Sequence, residues 1–229
     1  MPADPGLAVR EKPGIMDENN EPDKPRTQAM TQTRYLRALL LPLILLSVLA
    51  LAVPAGAQAW KVDPDHSAAH FSIRHMMIAQ VRGMFPDVTG TIDFDHDKPT
   101  ALDITVGVNS IDTGVEARDA HLKSGDFFAA EIHPTMTFKS TRVFPAENGF
   151  SVAGLLTIKG ASHEIQLTVT GLNDPRVDPW GNTRRGATAL FTIDRRDYGV
   201  DWNAPLDGGG FMVGNTVHIA VDLEAIQPK

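Results

Sequence analysis

The chain has no cysteine among its 229 residues. It therefore forms neither disulfide bridges nor thiolate metal sites, and burial of apolar side chains has to stabilise the fold. A cysteine nucleophile, a Gly-x-Ser-x-Gly sequence and a His-Glu-x-x-His pair are also missing. The run Ser162-His163-Glu164 offers no catalytic triad, because adjacent side chains on a strand point to opposite faces. These absences argue against an enzyme and against a metal site.

An excess of basic residues is missing as well. The formal net charge is −7, and residues 60–229 carry 15 Lys and Arg against 22 Asp and Glu. A net acidic surface disfavours nucleic acid and anionic bilayer faces as partners. Histidines are spread along the chain, and His75 falls on the opposite strand face from His66 and His70. The sequence therefore predicts neither nucleic-acid binding nor a histidine metal site.

Residues 1–59 differ in character from the rest. Residues 39–53 form an apolar run, preceded by Arg34 and Arg37 and followed by small residues. Such a run is typical of a secretory signal peptide, with cleavage after Ala57 or Ala59. The polar residues 1–29 are unusual before a signal peptide, so Met30 is a plausible initiator. We expect export to the periplasm, no membrane span after cleavage, and one folded domain over residues 60–229.

Beyond the signal segment, apolar and polar residues alternate with period two, which predicts β-strands with one buried face. About eight such runs are separated by turn sequences at hairpin spacing, which favours consecutive antiparallel strands. The inward residues of successive runs include Ala69, Phe71 and Ile73; Val88, Ile92 and Phe94; Leu102, Ile104 and Val106; Met136 and Phe138; Val152, Gly154 and Leu156; Ile165, Leu167 and Val169; Ala187, Ala189, Phe191 and Ile193; and Val217, Ile219, Val221 and Leu223.

Apolar strand faces that no helices cover must face one another, in a sandwich or a closed barrel. An eight-stranded barrel is just wide enough to be filled by side chains or to hold one elongated ligand. The small inward residues Gly90, Gly154, Ala187 and Ala189 favour a cavity, whereas the inward phenylalanines favour a packed core. The residues alone leave both interiors open.

The exception to the strand pattern is one short helix predicted over residues 115–124. Thr113 and Glu116 have the spacing of a capping box, and Gly125 stands where a left-handed C-terminal cap is expected. Phe127 and Phe128 follow, and we expect them to plug the barrel. Arg118 and His121 share a helix face.

The segment that contains this helix, residues 109–134, resembles the signature of the YceI-like family of periplasmic lipid-binding proteins. Three other segments also resemble that family: Trp60-Lys61-Val62-Asp63, Val81-Arg82-Gly83-Met84-Phe85, and residues 191–199, which contain the sequence Asp-Arg-Arg-Asp-Tyr-Gly. The resemblance covers about residues 60–227. It implies a lipocalin-like, all-β barrel of eight antiparallel strands whose pore holds a polyisoprenoid, a quinone-type lipid or a fatty chain, without a further cofactor. It also implies that two subunits form a homodimer.

With that implication, the alternation predicts an apolar tunnel lined by Phe71, Ile73, Phe85, Ile92, Phe94, Ile104, Val106, Phe138, Leu156, Leu167, Val169, Phe191 and Ile193. We expect Gly154→Trp to block the tunnel in a folded barrel. Candidates for a polar rim that contacts the ligand head group are Arg118, His121, Arg195, Tyr198 and Trp202. For Arg118, a role in bracing the helix is favoured over contact with a ligand.

Two alternatives differ in kind from a lipid carrier. The first is a packed barrel without a ligand, whose amphipathic segment Arg195 to Trp202 docks on a membrane redox partner. The second is an enzyme, which would require a His and a carboxylate that converge inside the barrel mouth.

Overall fold

The computed structural model of the chain describes residues 58–172 and 174–229. The predicted signal segment, the initiator Met30 and Ala57 lie outside the described residues. In the part that is described, no helix has both the length and the apolar character needed to cross a membrane.

The described chain is built almost entirely of antiparallel strands. Eleven strands form a single sheet. They are β1 Gln58–Val62, β2 Ala68–His75, β3 Ala79–Phe85, β4 Val88–Asp95, β5 Lys98–Gly107, β6 Thr135–Ala146, β7 Gly149–Ile158, β8 Ala161–Gly171, β9 Arg176–Val177, β10 Thr183–Asp194 and β11 Val213–Ile226.

Eight of the strands close into a barrel. Going round the barrel, the hydrogen-bonded neighbours are β11, β1, β4, β5, β6, β7, β8 and β10, and β10 pairs again with β11. The predicted all-β, eight-stranded antiparallel barrel is confirmed. Closure leaves no long unpaired edge in the cycle, and the inward faces of all eight strands share one core.

The sequence predicted the number of strands in the cycle but not the correct set. It missed β1, a strand of 5 residues that contributes Trp60 to the core. The run around Phe71 is instead β2, which pairs with β11 and β3 as a hairpin outside the cycle. β11, with 14 residues, is long enough to pair with β2 along residues 213–222 and with β1 through Ala225 and Ile226.

The predicted helix exists as α1, Glu116–Lys123. Its expected capping is wrong: the N-cap is Val115, which makes no side-chain cap, and Ser124 at the C-cap has extended backbone angles. Thr113 instead donates its backbone N–H to Asp119 Oδ1 at 3.0 Å. A residue within the helix therefore fixes the preceding loop.

The barrel has two dissimilar ends. At the helix end lie α1, the β2–β3 turn, the 3-10 turn Arg195–Tyr198 and the start of β11. At the packed end, the inward residues Trp60, Ile92, Phe94 and Arg185 are all buried. The rings of Trp60 and Phe94 lie 5.2 Å apart, and the Arg185 guanidinium stacks over both.

Candidate ligand-binding cavity

The core toward the helix end is not filled. A cavity of about 190 Å³ is lined by inward residues of β2, β3, β5 to β8, β10 and β11. Leu122 of α1 and the following Phe127 and Phe128 complete its wall, whose surface is wholly apolar. Apolar cavities of about 150 Å³ lined by such side chains stay dry and bind apolar molecules.

The structure brings together eleven of the thirteen residues predicted to line a tunnel. On the cavity wall are Phe71, Ile73, Phe85, Ile104, Val106, Phe138, Leu156, Leu167, Val169, Phe191 and Ile193. Their side chains point inward, as period-two alternation predicts, and their contact with a ligand stays a prediction.

Ile92 and Phe94 do not lie on the wall. Both point inward from β4 and are fully buried, but they belong to the packed end. Phe94 packs against Trp60 and under the Arg185 guanidinium, so no open space is left beside it. The cavity therefore ends at the packed layer, one inward position from Ala187 and Leu223 of its wall.

Several wall residues were recognised as inward but not as site residues. The largest such set is on β11, where Val217, Ile219 and Val221 line the cavity. Their alternation is as regular as that of the predicted residues. They would have been predicted if every inward residue in the half of each strand nearer the helix end had been included.

The small inward residues divide into two kinds. Ala187 and Ala189 lie on the cavity wall, as the argument from small side chains expects. The argument is wrong for Gly154, because a Cβ there would lie 2.5 Å from Phe138 Cζ and 2.6 Å from the carbonyl oxygen of Lys139. The Phe138 ring already fills that space. Gly154→Trp therefore disrupts the barrel wall rather than blocking an open tunnel.

Aromatic rings form the wall next to the β2–β3 hairpin. The ring of Phe85 lies 5.7 Å from that of Phe71 and 5.7 Å, edge to face, from that of Phe128. Gly83 permits this arrangement, because a Cβ there would lie 2.6 Å from Phe71 Cζ and 2.8 Å from Thr113 Cγ2. The Gly-x-Phe element is thus the place where the segment before α1 approaches the barrel.

Two of the five predicted rim residues, Arg195 and Tyr198, lie on the cavity wall and are buried. The Arg195 guanidinium donates to the carbonyl oxygens of Gly214, at 2.8 Å, and Val200. Burial lowers the pKa of Arg195, an effect that the charges of Asp201 and Asp194 oppose. Because its donors are used by backbone carbonyls, Arg195 fixes the loop that precedes β11.

Burial raises the pKa of the Tyr198 phenol, and the negative charge of Asp197 raises it further. The Tyr198 ring packs edge to face on His163 at 5.0 Å. His163 Nε2 lies 2.8 Å from the Asp197 carbonyl oxygen, which ties the start of β8 to the 3-10 turn. Tyr198 is therefore held rigidly at the cavity wall.

His121 and Trp202 lie above the cavity rather than in its wall. Their rings contact each other at 5.0 Å, and both contact the ring of Phe127, which does line the cavity. His121 Nε2 lies 2.9 Å from Asp126 Oδ2. This cluster places polar atoms directly outside the apolar wall.

Arg118 is not brought to the cavity. Its Nε donates to Thr113 Oγ1 at 2.7 Å and its Nη2 to the Thr113 carbonyl oxygen at 2.8 Å. Together with the bond from Thr113 to Asp119, these contacts brace the loop before α1. The bracing role is the one that the geometry supports.

A cluster of charged groups occupies the packed end. Donor atoms of Asp63, His66 and Glu224 lie within 4.8 Å of one another, a spacing that could suit a metal ion. The Arg184 guanidinium already bonds to Asp63 and, at 2.8 Å, to Glu224 Oε2. A cation is therefore in place, and the cluster acts as an ion-pair network that joins β1 to β10 and β11.

Comparison with known proteins identifies the kind of barrel. The YceI-like domain family matches residues 60–225. The chain belongs to the YceI-like family. A UPF0312 protein of Pectobacterium atrosepticum is 36% identical over 171 residues, which cover 72% of this chain and 88% of that protein. A UPF0312 protein of Staphylococcus epidermidis is 37% identical over 165 residues, 71% of this chain and 94% of that protein.

Solved structures agree with this family assignment. BcnA of Burkholderia cenocepacia is 25% identical and superposes with a TM-score of 0.62, covering 72% of this chain and 99% of BcnA. The YceI protein of Campylobacter jejuni is 27% identical with a TM-score of 0.57, covering 69% of this chain and 91% of that protein. A polyisoprenoid-binding domain from Saccharophagus degradans shares the fold at 17% identity, with a TM-score of 0.56 and coverage of 75% and 99%.

Proposed function

We propose that this YceI-like protein binds one long apolar lipid in the cavity and carries it, without chemical conversion. The observation that carries this proposal is the cavity itself, whose wall has no polar surface although the chain has a net acidic composition. An apolar wall selects an apolar chain, and the His–carboxylate pair nearest to it, His121 with Asp126, lies outside the wall above Phe127.

The affinity would come from burial. Each methylene that moves from water into an apolar site contributes about 0.8 kcal/mol, so about ten buried carbons, or two isoprene units, contribute about 8 kcal/mol, the free energy of micromolar binding. Because the wall is apolar, the head group of the lipid would remain outside it. His121 and the indole N–H of Trp202 lie directly above Phe127 and are the groups we expect it to meet.

The polyisoprenoid-binding domain of Saccharophagus degradans supports the choice of ligand class, since it is a barrel of the same fold. Polyisoprenoids, quinone-type lipids and fatty acids all have a flexible apolar chain, which is the part of a lipid that an apolar wall can bind. The ligand is therefore proposed as a class.

We also propose that the protein is exported to the periplasm. The apolar run of residues 39–53 and the small residues after it are typical of a cleaved signal. Gln58 and Ala59 pair with Phe94 and Asp93 of β4. Cleavage after Ala57 keeps that pairing, whereas cleavage after Ala59 would remove it, so we favour the first.

Native mass spectrometry tests the proposal. The full chain would be expressed, the protein recovered from the cell envelope, and its mass measured before and after organic extraction. We expect an added mass of one lipid that extraction removes. A bare protein that also takes up no added isoprenoid alcohol, quinone or fatty acid would contradict lipid carriage and favour an interaction module.

A matched pair of variants ties the lipid to the cavity. Ala189 lies on the wall, whereas its neighbour Leu190 is 63% exposed on the outer face of β10. We expect Ala189→Phe to reduce lipid occupancy and Leu190→Phe to leave it unchanged, with thermal unfolding confirming that both fold. Equal occupancy in the two variants would place the lipid elsewhere.

A further inference from the structure

The turn between β2 and β3 presents apolar side chains to solvent. Met76, Met77 and Ile78 form this turn at the helix end, and Met77 and Ile78 are 54% and 80% exposed. The exposed Phe211 belongs to the adjoining loop, which meets the turn where the Met76 N–H donates to the Met212 carbonyl oxygen at 2.7 Å. We call Met76, Met77, Ile78 and Phe211 the apolar tip.

The backbone of the turn adds to the cost of this exposure. Met76 and Met77 have φ angles of 48° and 62°, in the left-handed region where hairpin turns usually carry Asn or Gly. Side chains such as methionine are disfavoured there. The chain therefore accepts both backbone strain and apolar exposure at one site, and such coincidences point to a function.

The hairpin below the tip is basic, in contrast to the chain as a whole. Residues 68–85 contain Arg74 and Arg82 and no acidic residue, whereas the whole chain has a net charge of −7. Both arginines are exposed on the outer face, and neither pairs with a carboxylate of residues 58–172 or 174–229. The acidic residues that reach the hairpin lie toward its base, where Asp222 is 4.0 Å from His70 and Asp112 pairs with Met84, whereas Asp207 belongs to the loop beside the tip.

We propose that the apolar tip inserts into the surface of an anionic lipid bilayer, with Arg74 and Arg82 on its phosphates. Apolar side chains backed by basic residues are the pattern that binds such interfaces. Ile73 and Val213, which line the cavity, lie only a few residues from the tip. Docking in this way would bring the cavity end of the barrel to the membrane.

Two other occupants fit the tip less well. A stable dimer buries about 800 Å² on each partner, which four side chains at a protruding turn do not supply. The opposite end of the barrel also exposes apolar residues, Val177 and Trp180, but residues 174–182 carry Asp174 and Asp178 against a single Arg176. Charge therefore favours the tip.

The absence of cysteine allows a local test on the full-length chain. A single cysteine introduced as Met77→Cys, and separately as Ile78→Cys, would carry an environment-sensitive NBD label. Matched labels would be placed through Leu190→Cys on the barrel side and Trp180→Cys at the packed end. A local label reports insertion at its own position, whatever residues 1–57 do.

On adding phosphatidylcholine vesicles that contain phosphatidylglycerol, we expect the emission of the labels at 77 and 78 to rise and shift to the blue. The labels at 180 and 190 should not respond. Arg74→Gln and Arg82→Gln should each weaken partitioning about fivefold. In the labelled protein that keeps both arginines, high salt should also weaken partitioning into these vesicles.

Three results would overturn the proposal. The first is a response at 180 without one at 77 or 78, and the second is an equal response to vesicles of phosphatidylcholine alone. The third is a blue shift that grows with protein concentration in the absence of vesicles, which would show a second copy on the tip. The test needs no lipid in the cavity, so its outcome is independent of the proposed carriage.

Discussion

Two buried arginines, one near each end of β10, show how the two ends of the barrel differ. Arg185 and Arg195 are 3% and 4% exposed. Arg185 at the packed end stacks over two aromatic rings, donates to the buried Leu172 carbonyl and has an Nε without a partner among the described residues. Arg195 at the helix end donates to the carbonyls of Val200, in the loop before β11, and of Gly214, at the start of β11.

The same residue type therefore serves opposite purposes. At the packed end the guanidinium completes a core that has no room for a ligand. At the helix end it anchors the loop over a cavity and leaves the interior apolar. A packed layer and a cavity are thus separated along the barrel axis, and substitutions at the two ends can test whether the ends respond independently.

The largest effect is expected for Arg185→Leu. The change leaves the Leu172 carbonyl, which is inside the protein, without a donor and removes the stacking on Trp60 and Phe94. We expect a loss of about 3 kcal/mol in the free energy of unfolding, measured in urea. Arg142→Leu is the control, because its pair with Glu164 is exposed and such pairs contribute about 0–1 kcal/mol. A loss of similar size in both variants would contradict a special role for the packed end.

A smaller loss is expected for Arg195→Leu, about 1–2 kcal/mol, because the change removes bonds to the carbonyls of Gly214 and Val200 but no stacking on aromatic rings. The effect should be local. Amide hydrogen exchange should speed up over residues 199–214 while the strands of the packed end keep their protection. Faster exchange throughout the barrel would show that the two ends unfold as one unit.

Acid should weaken the packed end. Hydrogen bonds from Arg184 hold the pKa of Asp178 well below its usual value, against the opposing effect of burial, and Asn182 and the Trp180 N–H assist. For Asp63, burial raises the pKa, but bonds from Arg184 and His66 outweigh it and the pKa is lowered.

The sign follows from linkage. Carboxyls whose pKa is lower in the folded state stabilise the protein above the unfolded value of about 3.9, and this stability is lost as pH falls through the folded pKa. We expect Asp178→Asn to lower the urea midpoint at pH 7, with a difference from wild type that shrinks in strong acid. Asp103→Asn, on an exposed pair with Lys139, is the control. A difference that is constant with pH would contradict this mechanism.

Sequence patterns predicted the parts of this molecule that are governed by period-two alternation. The inward residues of the regular strands follow from that rule, whereas the choice of a barrel over a sandwich came from the family resemblance. Trp60 escaped because β1 is too short, at 5 residues, to show alternation. The separation of Phe94 from Phe71 escaped for another reason: both are inward, and only the depth along the barrel axis distinguishes a filled layer from an open one.

Charge shows a second limit of the sequence. The net charge of −7 argued against anionic bilayers, yet the hairpin of residues 68–85 carries no acidic residue. The net charge of the whole chain therefore does not describe the charge of a single hairpin. The start of α1 shows a similar limit. The spacing predicted a capping box between Thr113 and Glu116, but the path of the loop brings the Thr113 N–H to Asp119 instead.

The smallest effect concerns Tyr198 and reports how dry the helix end is. Burial and, to a lesser degree, Asp197 raise the pKa of its phenol. The stability gained by burying the neutral phenol is present below the unfolded value of about 10 and is lost as pH rises through the folded pKa. An ultraviolet titration, taken as the difference between wild type and Tyr198→Phe, should therefore have its midpoint above 10. Asp197→Asn should lower that midpoint slightly but leave it above 10, because burial is the larger cause. A midpoint at or below 10 would show that water reaches Tyr198 at the cavity wall and would contradict a dry interior at the helix end.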